Sequence, residues 1–366
     1  VWIDSDLKAF VQKGLSGTIL MEILARVFLF VITILLTNWL PLEDYGRYSF
    51  YIASIISIAT IGTLGLDDLL VREIGSKESQ SSFISILGVS IVTASILAII
   101  WFNINSLPDN DIKFYLIIAA IFLSAIYMIS ALLKGHKHVL SAQIPEQIIR
   151  PFFVLIGLGF LWVIYNKFDL LNVVIVIFAS ILMSSMFSLI LLRRKGLLNH
   201  LGLLKLSTFR WSWDMFFFAA LTLFGVLRHK LDILILGYFD FYSSTAIYNV
   251  ASKLSDFLLV GLILTNAVYM PLFAAQKGAP DNEKLTKILE SSLLINLLIG
   301  SFFFLVFLMF GPFILELFGL SYVEGYTALV ILSSSTWIYA LIGPYIIMLM
   351  MMGLERQVLI GLVLGI

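Results

Sequence analysis

Arg228, Lys230, Asp232, Lys253 and Asp256 lie inside two stretches of the chain that are otherwise hydrocarbon-like, Trp213–Phe239 and Ile247–Met270. A charge at mid-bilayer is expensive, so such residues face a bundle interior or a watery cavity and mark a transport path. They come with partners at helical spacing. Arg228 and Asp232 are four residues apart, Lys253 and Asp256 three, and Glu22 and Arg26 in an earlier apolar run are four apart. Each pair shares a helix face. One reading is mutual neutralisation that pins helices together, and for Glu22–Arg26 it stays open beside a functional role. The five later charges exceed what neutralisation needs, and three are cations. Desolvated cations make a receptor for phosphate, because charge-assisted hydrogen bonds strengthen away from water, and the planar fork of Arg suits it best.

Asp67 and Asp68 stand in GTLGLDDLLVREIG (Gly62–Gly75). Asp68 and Arg72 are again four apart, so this is either an interfacial helix end closed by a salt bridge or a gate or proton-coupling group. The four histidines are His136, His138, His200 and His229. The H-x-H pair has no further ligand close in sequence, and a tetrahedral site needs three or four. No cysteine is present, which excludes thiolate metal sites and cysteine catalysis. No P-loop or large catalytic loop is found, so no enzyme, cofactor or metal is expected. Formal net charge is zero, which gives no argument for nucleic acid.

The elements that must hold these charges are membrane helices. Hydrophobic residues form 60% of the 366 and charged residues 13%, with mean hydropathy +1.03. Soluble domains carry about 25% charged residues. Ten spans are expected, at roughly 18–40, 48–70, 82–102, 112–133, 146–165, 171–192, 213–238, 247–270, 288–310 and 327–350. An eleventh is expected to begin near Val358, its nine apolar residues too short to cross, so the C-terminus reads as cut within a helix. With the N-terminus inside, sixteen of the 23 Lys and Arg fall in inner segments, against Arg47, Lys113 and Lys167 outside. The positive-inside rule therefore puts the N-terminus in the cytoplasm.

Aromatic residues sit at the ends of these spans, Trp39, Tyr45 and Tyr48 at one outer loop and Tyr238, Tyr242 and Tyr248 at another. The longest inner loop, Arg193–Trp211, is basic and reads as a helix on the anionic inner leaflet. It splits the chain into an N-terminal lobe of six spans (1–192), a cytoplasmic linker (193–212) and a C-terminal lobe (213–366). A faint repeat supports the split: DYGRYSF (Asp44–Phe50) and STAIYNV (Ser244–Val250) are offset by 200 residues, with Tyr48 over Tyr248. Repeated bundles place a transport site between halves. Gly343 and Pro344 predict a kink in the tenth span, and Pro145 and Pro151 flank the start of the fifth.

DYGRYSF, LGLDDLLVREIG (Leu64–Gly75) and LRHKLDILILGYFDFYSSTAIYNVASKLSD (Leu227–Asp256), with the turns LKGHKH and MGLER, resemble the Wzx-type O-antigen flippases. That family belongs to the MOP (multidrug/oligosaccharidyl-lipid/polysaccharide) exporter superfamily, with the MATE transporters. The likeness covers essentially the whole chain. It implies an all-α polytopic membrane bundle of two pseudo-symmetric lobes around a central cavity, here C-terminally truncated, since the family has twelve to fourteen spans. It implies a flippase for oligosaccharide repeat units on undecaprenyl pyrophosphate, working by alternating access in the bacterial inner (plasma) membrane and drawing on a proton or sodium gradient. A polysaccharide polymerase and chain-length machinery are implied as partners. Arg26, Arg228, Lys230 and Lys253 would bind the pyrophosphate and sugars. Glu22, Asp67, Asp68, Asp232 and Asp256 would couple an ion or counter those cations. A MATE-type multidrug or cation antiporter, a lipid II flippase and a membrane enzyme remain alternatives. The basic cluster argues against the first, and no catalytic loop is found for the last.

Overall fold

The computed structural model describes residues 5–75, 83–105, 110–136, 138–165, 169–197, 213–274, 282–352, 354 and 361. Among them every regular element is a helix. In chain order these are α1 (Ser5–Trp39), α2 (Leu42–Gly62), α3 (Leu66–Gly75), α4 (Phe83–Ile104), α5 (Asn110–Gly135) and α6 (Val139–Ile144). A π segment, Pro145–Ile149, leads into α7 (Arg150–Tyr165), and α8 is Leu170–Arg194. Then come α9 (Trp213–Tyr238) and α10 (Tyr242–Ser255), with a 3₁₀ segment, Asp256–Leu259, leading into α11 (Val260–Ala274). The last are α12 (Asn282–Glu316), a 3₁₀ turn at Leu320–Gly325, and α13 (Tyr326–Met351).

Among the described residues, eight helical stretches are long and apolar enough to cross a membrane, Leu20–Trp39, Ile86–Ile104, Asn110–Gly135, Val139–Ile164, Leu170–Arg194, Tyr242–Asn266, Glu283–Glu316 and Leu320–Met351. The protein is a multi-pass membrane protein. Two more described helices are long enough to span, α2 with 21 residues and α9 with 26, but both are more polar. α9 carries Asp214, Arg228, Lys230 and Asp232. α2 begins with Glu43, Asp44 and Arg47, and it need not resemble lipid because most of it is shielded: Tyr45, Phe50 and Tyr51 are at most 1% exposed.

The second span differs from expectation. One helix over 48–70 is replaced by α2, a turn at Thr63–Gly65, and α3. Leu64 and Gly65 both take positive φ, 52° and 68°. Gly adopts that region without penalty, and the turn ends α2 there. The eleventh span near Val358 and most of the 193–212 linker lie outside the described residues.

The chain forms two compact units, Met21–Ala246 and Ile247–Ile366 with Val1–Leu20. In the first, α2 packs on α4, α5 and α9, and α5 packs on α3, α4 and α8. Small residues set these approaches: a Cβ on Gly62 would lie 2.9 Å from the Ala94 Cα, and one on Gly237 would run into the Phe50 ring. In the second, α11, α12 and α13 pack together. Gly343 lies against Leu262 and Gly311 against Tyr326, and α13 continues through Pro344. The repeat is visible in the elements, since α2 begins at Leu42 and α10 at Tyr242, the same 200-residue offset.

Candidate functional site

Four of the nine charges singled out in the sequence, Asp67, Asp68, Lys253 and Asp256, sit where a helix is broken. Asp67 and Asp68 open α3, just after the positive-φ turn. Thr63 Oγ1 donates to Asp67 Oδ1 at 3.0 Å, tying the turn to the new helix. Lost hydration raises the Asp68 carboxyl above its ordinary range, the Asp67 charge adds to this, and Lys134 opposes it. The expected Asp68–Arg72 pair involves an Arg72 side chain outside the described residues.

The second irregularity is the π segment. Pro151 has no N–H to return to the preceding turn and its ring crowds the carbonyl four residues back, which opens the helix. The Arg150 N–H bonds instead to the Pro145 carbonyl, five residues back. That carbonyl also accepts from Ser184 Oγ of α8 at 2.6 Å. One turn earlier, the Ala142 carbonyl accepts from Ser130 Oγ of α5 at 3.1 Å. Neighbouring helices thus hold the bulge in place, and π-bulges recur at functional sites.

Within this segment Gln147 turns towards α1. Its Nε2 donates to Glu22 Oε1 at 2.7 Å. The Oε1 atoms of Gln143 and Gln147 are buried with no hydrogen-bond partner. Arg26 stands one turn along α1 from Glu22, half-buried. Tyr127 of α5 bridges the two irregularities. Its hydroxyl bonds to Thr60 of α2, and it lies in the fields of Glu146, Arg150 and Asp67. In the first unit, Glu22 and Asp67 therefore flank one polar seam. Sequence reasoning missed Gln143, Gln147, Tyr127 and Ser184. The prolines flagged the spot, but uncharged polar residues in an apolar run carry little signal alone.

The third irregularity is the 3₁₀ segment Asp256–Leu259 in the middle of the span Tyr242–Asn266. Lys253 is half-buried just before it, and Asp256, its first residue, is exposed. Interrupted membrane helices free backbone groups and are where transporters build sites. On α9 the backbone is regular: Lys230 is half-buried, His229 and Asp232 are exposed, and the Arg228 side chain lies outside the described residues. At the far end of α9, Arg47 of α2 stacks its guanidinium 5.2 Å over the Tyr242 ring and bonds Glu43 at 2.7 Å. Gly46 lies directly against the Tyr242 carbonyl. Among the described residues no three His, Asp or Glu side chains gather as a metal site would need.

A model of the family described as "Polysaccharide biosynthesis protein" matches residues 11–277. No curated protein matches the chain. Solved structures with the same fold include an inward-facing multidrug-resistance MATE-family transporter of the MOP superfamily. It is 13% identical, with TM-score 0.68, over 92% of this chain and 83% of that one. An outward-facing MATE-family structure is also 13% identical, with TM-score 0.63, over 96% and 84%. A MOP-superfamily transporter from Pyrococcus furiosus, whose binding pocket is described as having reversed polarity suggesting a different function, is 14% identical, with TM-score 0.63, over 96% and 84%.

Proposed function

This chain belongs to the polysaccharide biosynthesis protein family, and we propose that it flips undecaprenyl-pyrophosphate-linked oligosaccharide repeat units from the inner to the outer face of the bacterial cytoplasmic membrane. Transport proceeds by alternating access between two lobes, residues 1–192 and 213–366, and draws on a proton or sodium gradient. The N-terminus is cytoplasmic. A polymerase and chain-length machinery receive the product.

The observation that carries this reading is that a subset of the charges stands at or against three helix breaks: Asp67 at the α2–α3 turn, Glu22 against the π segment, Lys253 and Asp256 at the 3₁₀ segment. A charge that only pinned helices would sit as well in a regular one. Arg26, Arg228, Lys230 and Lys253 bind the pyrophosphate and sugar. Asp232 and Asp256 counter those cations, while Glu22, Asp67 and Asp68 carry the coupling ion. Gln147 holds the Glu22 carboxylate in place.

The test is deletion of the gene in the source cell, with surface polysaccharide and lipid-linked oligosaccharide measured together. Loss of polymer with build-up of undecaprenyl-linked units on the inner face is expected. Normal polymer with new sensitivity to cationic dyes would sink the flippase reading in favour of a drug extruder.

A further inference from the structure

The ends of α5, α6 and α8 that carry His136, His138, Arg193, Arg194 and Lys195 form a cationic corner, and transport as read above has no use for it. The three ends are held together by one buried core: Leu132 and Leu133 of α5, Ala142 of α6, and Leu192 and Leu197 at the end of α8 all belong to it. On this corner His138 feels both Lys195 and His136, and burial first, then these two neighbours, hold its imidazole below its ordinary value. Lys134 is partly answered by Asp68. Among the described residues no ion pair involves His136, His138, Arg193, Arg194 or Lys195. His136 Nδ1 lies 2.9 Å from the Leu132 carbonyl and so must donate to it, which fixes the ring and leaves Nε2 free.

A helix C-terminus carries about half a negative charge, so one or two cations satisfy it. Here the ends of α5 and α8 and the start of α6 gather five cationic or titratable groups. The surface beside them is apolar. Met183, Met186 and Ile190 share one face of α8 and are 42%, 58% and 48% exposed, and Leu189 is 53% exposed. Arg193 and Arg194 follow three and four residues after Ile190, on the same face. Val139, next to His138, is 43% exposed. An apolar stripe of about two turns ending in a cationic corner has the shape of a single lipid, with acyl chain along the helix and head at its end.

We propose that this corner is a binding site for the phosphate of an anionic phospholipid headgroup, with the acyl chain lying along the Met183–Ile190 face of α8. Arg193 and Arg194 supply forked donors to the phosphate oxygens, and Lys195, in whose field His138 lies, adds a third charge beside them. A free phosphate would use the charges but not the stripe, so the lipid is the fitting occupant. The site is independent of the transported substrate.

The test is native mass spectrometry of the purified, delipidated full chain, titrated with phosphatidylglycerol, with phosphatidylcholine and with inorganic phosphate. Phosphatidylglycerol should bind at least about tenfold more tightly than phosphatidylcholine, and the R193Q/R194Q/K195Q variant should lose about tenfold or more of that affinity. The charge-keeping R193K/R194K variant should retain most of it, which separates loss of the site from loss of the fold. Removing two exposed charges elsewhere, in K284Q/K287Q, should leave it unchanged. Equal binding of the two lipids, equal losses in the two charge-removing variants, or displacement of the lipid by millimolar inorganic phosphate would each overturn the proposal.

Discussion

Gln147 donates to the Glu22 carboxylate at 2.7 Å across 125 residues of chain, from the first turn opened by the π segment to the middle of α1. The bond joins the π segment of the first unit to an acidic residue within the apolar part of α1. Glu22→Gln keeps the size and an acceptor but abolishes titration. The variant should fold and melt close to the parent, yet fail to restore surface polymer to the deletion strain. Gln147→Leu removes the donor and should cost about 1 kcal/mol of stability, because the half-buried carboxylate loses a partner. Wild-type polymer from Glu22→Gln would remove Glu22 from the coupling machinery.

Arg228→Ala and Lys253→Ala should each cut surface polymer towards the level of the deletion strain, with lipid-linked units accumulating. Lys253→Arg should recover part of the activity, since the charge remains while its geometry changes. If both alanine variants export normally, the cationic receptor does not exist.

Close packing around the α9–α10 turn gives a prediction about stability alone. A Cβ on Gly46 meets the Tyr242 main-chain carbonyl, which cannot swing aside. A Cβ on Gly237 meets the Phe50 ring, which can shift a little. Gly237→Ala should therefore cost about 1–3 kcal/mol, and Gly46→Ala more. Thermal unfolding in detergent gives the order, and a smaller loss for Gly46→Ala would show that this approach is not what it seems.

Asp68 should make stability depend on pH. Its folded-state pKa is raised, chiefly by lost hydration. A raised carboxyl pKa means the protonated form favours the folded state: the benefit is complete below the ordinary carboxylate range and is lost as pH rises through the folded value. Asp68→Asn should thus raise the melting temperature at neutral pH relative to the parent, and the difference should shrink as pH falls into the ordinary carboxylate range. A difference that grows on acidification would mean that Lys134 outweighs the desolvation.

Local composition alone makes the chain a membrane bundle, sets roughly where its helices run, and marks which charges are costly enough to need a purpose. Those are sums over local composition: twenty apolar residues span a bilayer whatever they pack against, and a charge such as Lys253 or Glu22 within a span is expensive in any helical context. The family resemblance lay in blocks such as Leu64–Gly75, where short-range order is dense. Local composition could not say that α2 ends at Gly62. The positive φ of Leu64 and Gly65, and the packing of Gly62 on Ala94, depend on a neighbouring helix. Nor could it pair Glu22 with Gln147. Pro145 and Pro151 announced a disturbance, but a π turn, a kink and a helix end all answer the same missing N–H. Which of them forms is decided by Ser184 and Ser130 on adjacent helices, side chains brought to the Pro145 and Ala142 carbonyls only by the tertiary fold.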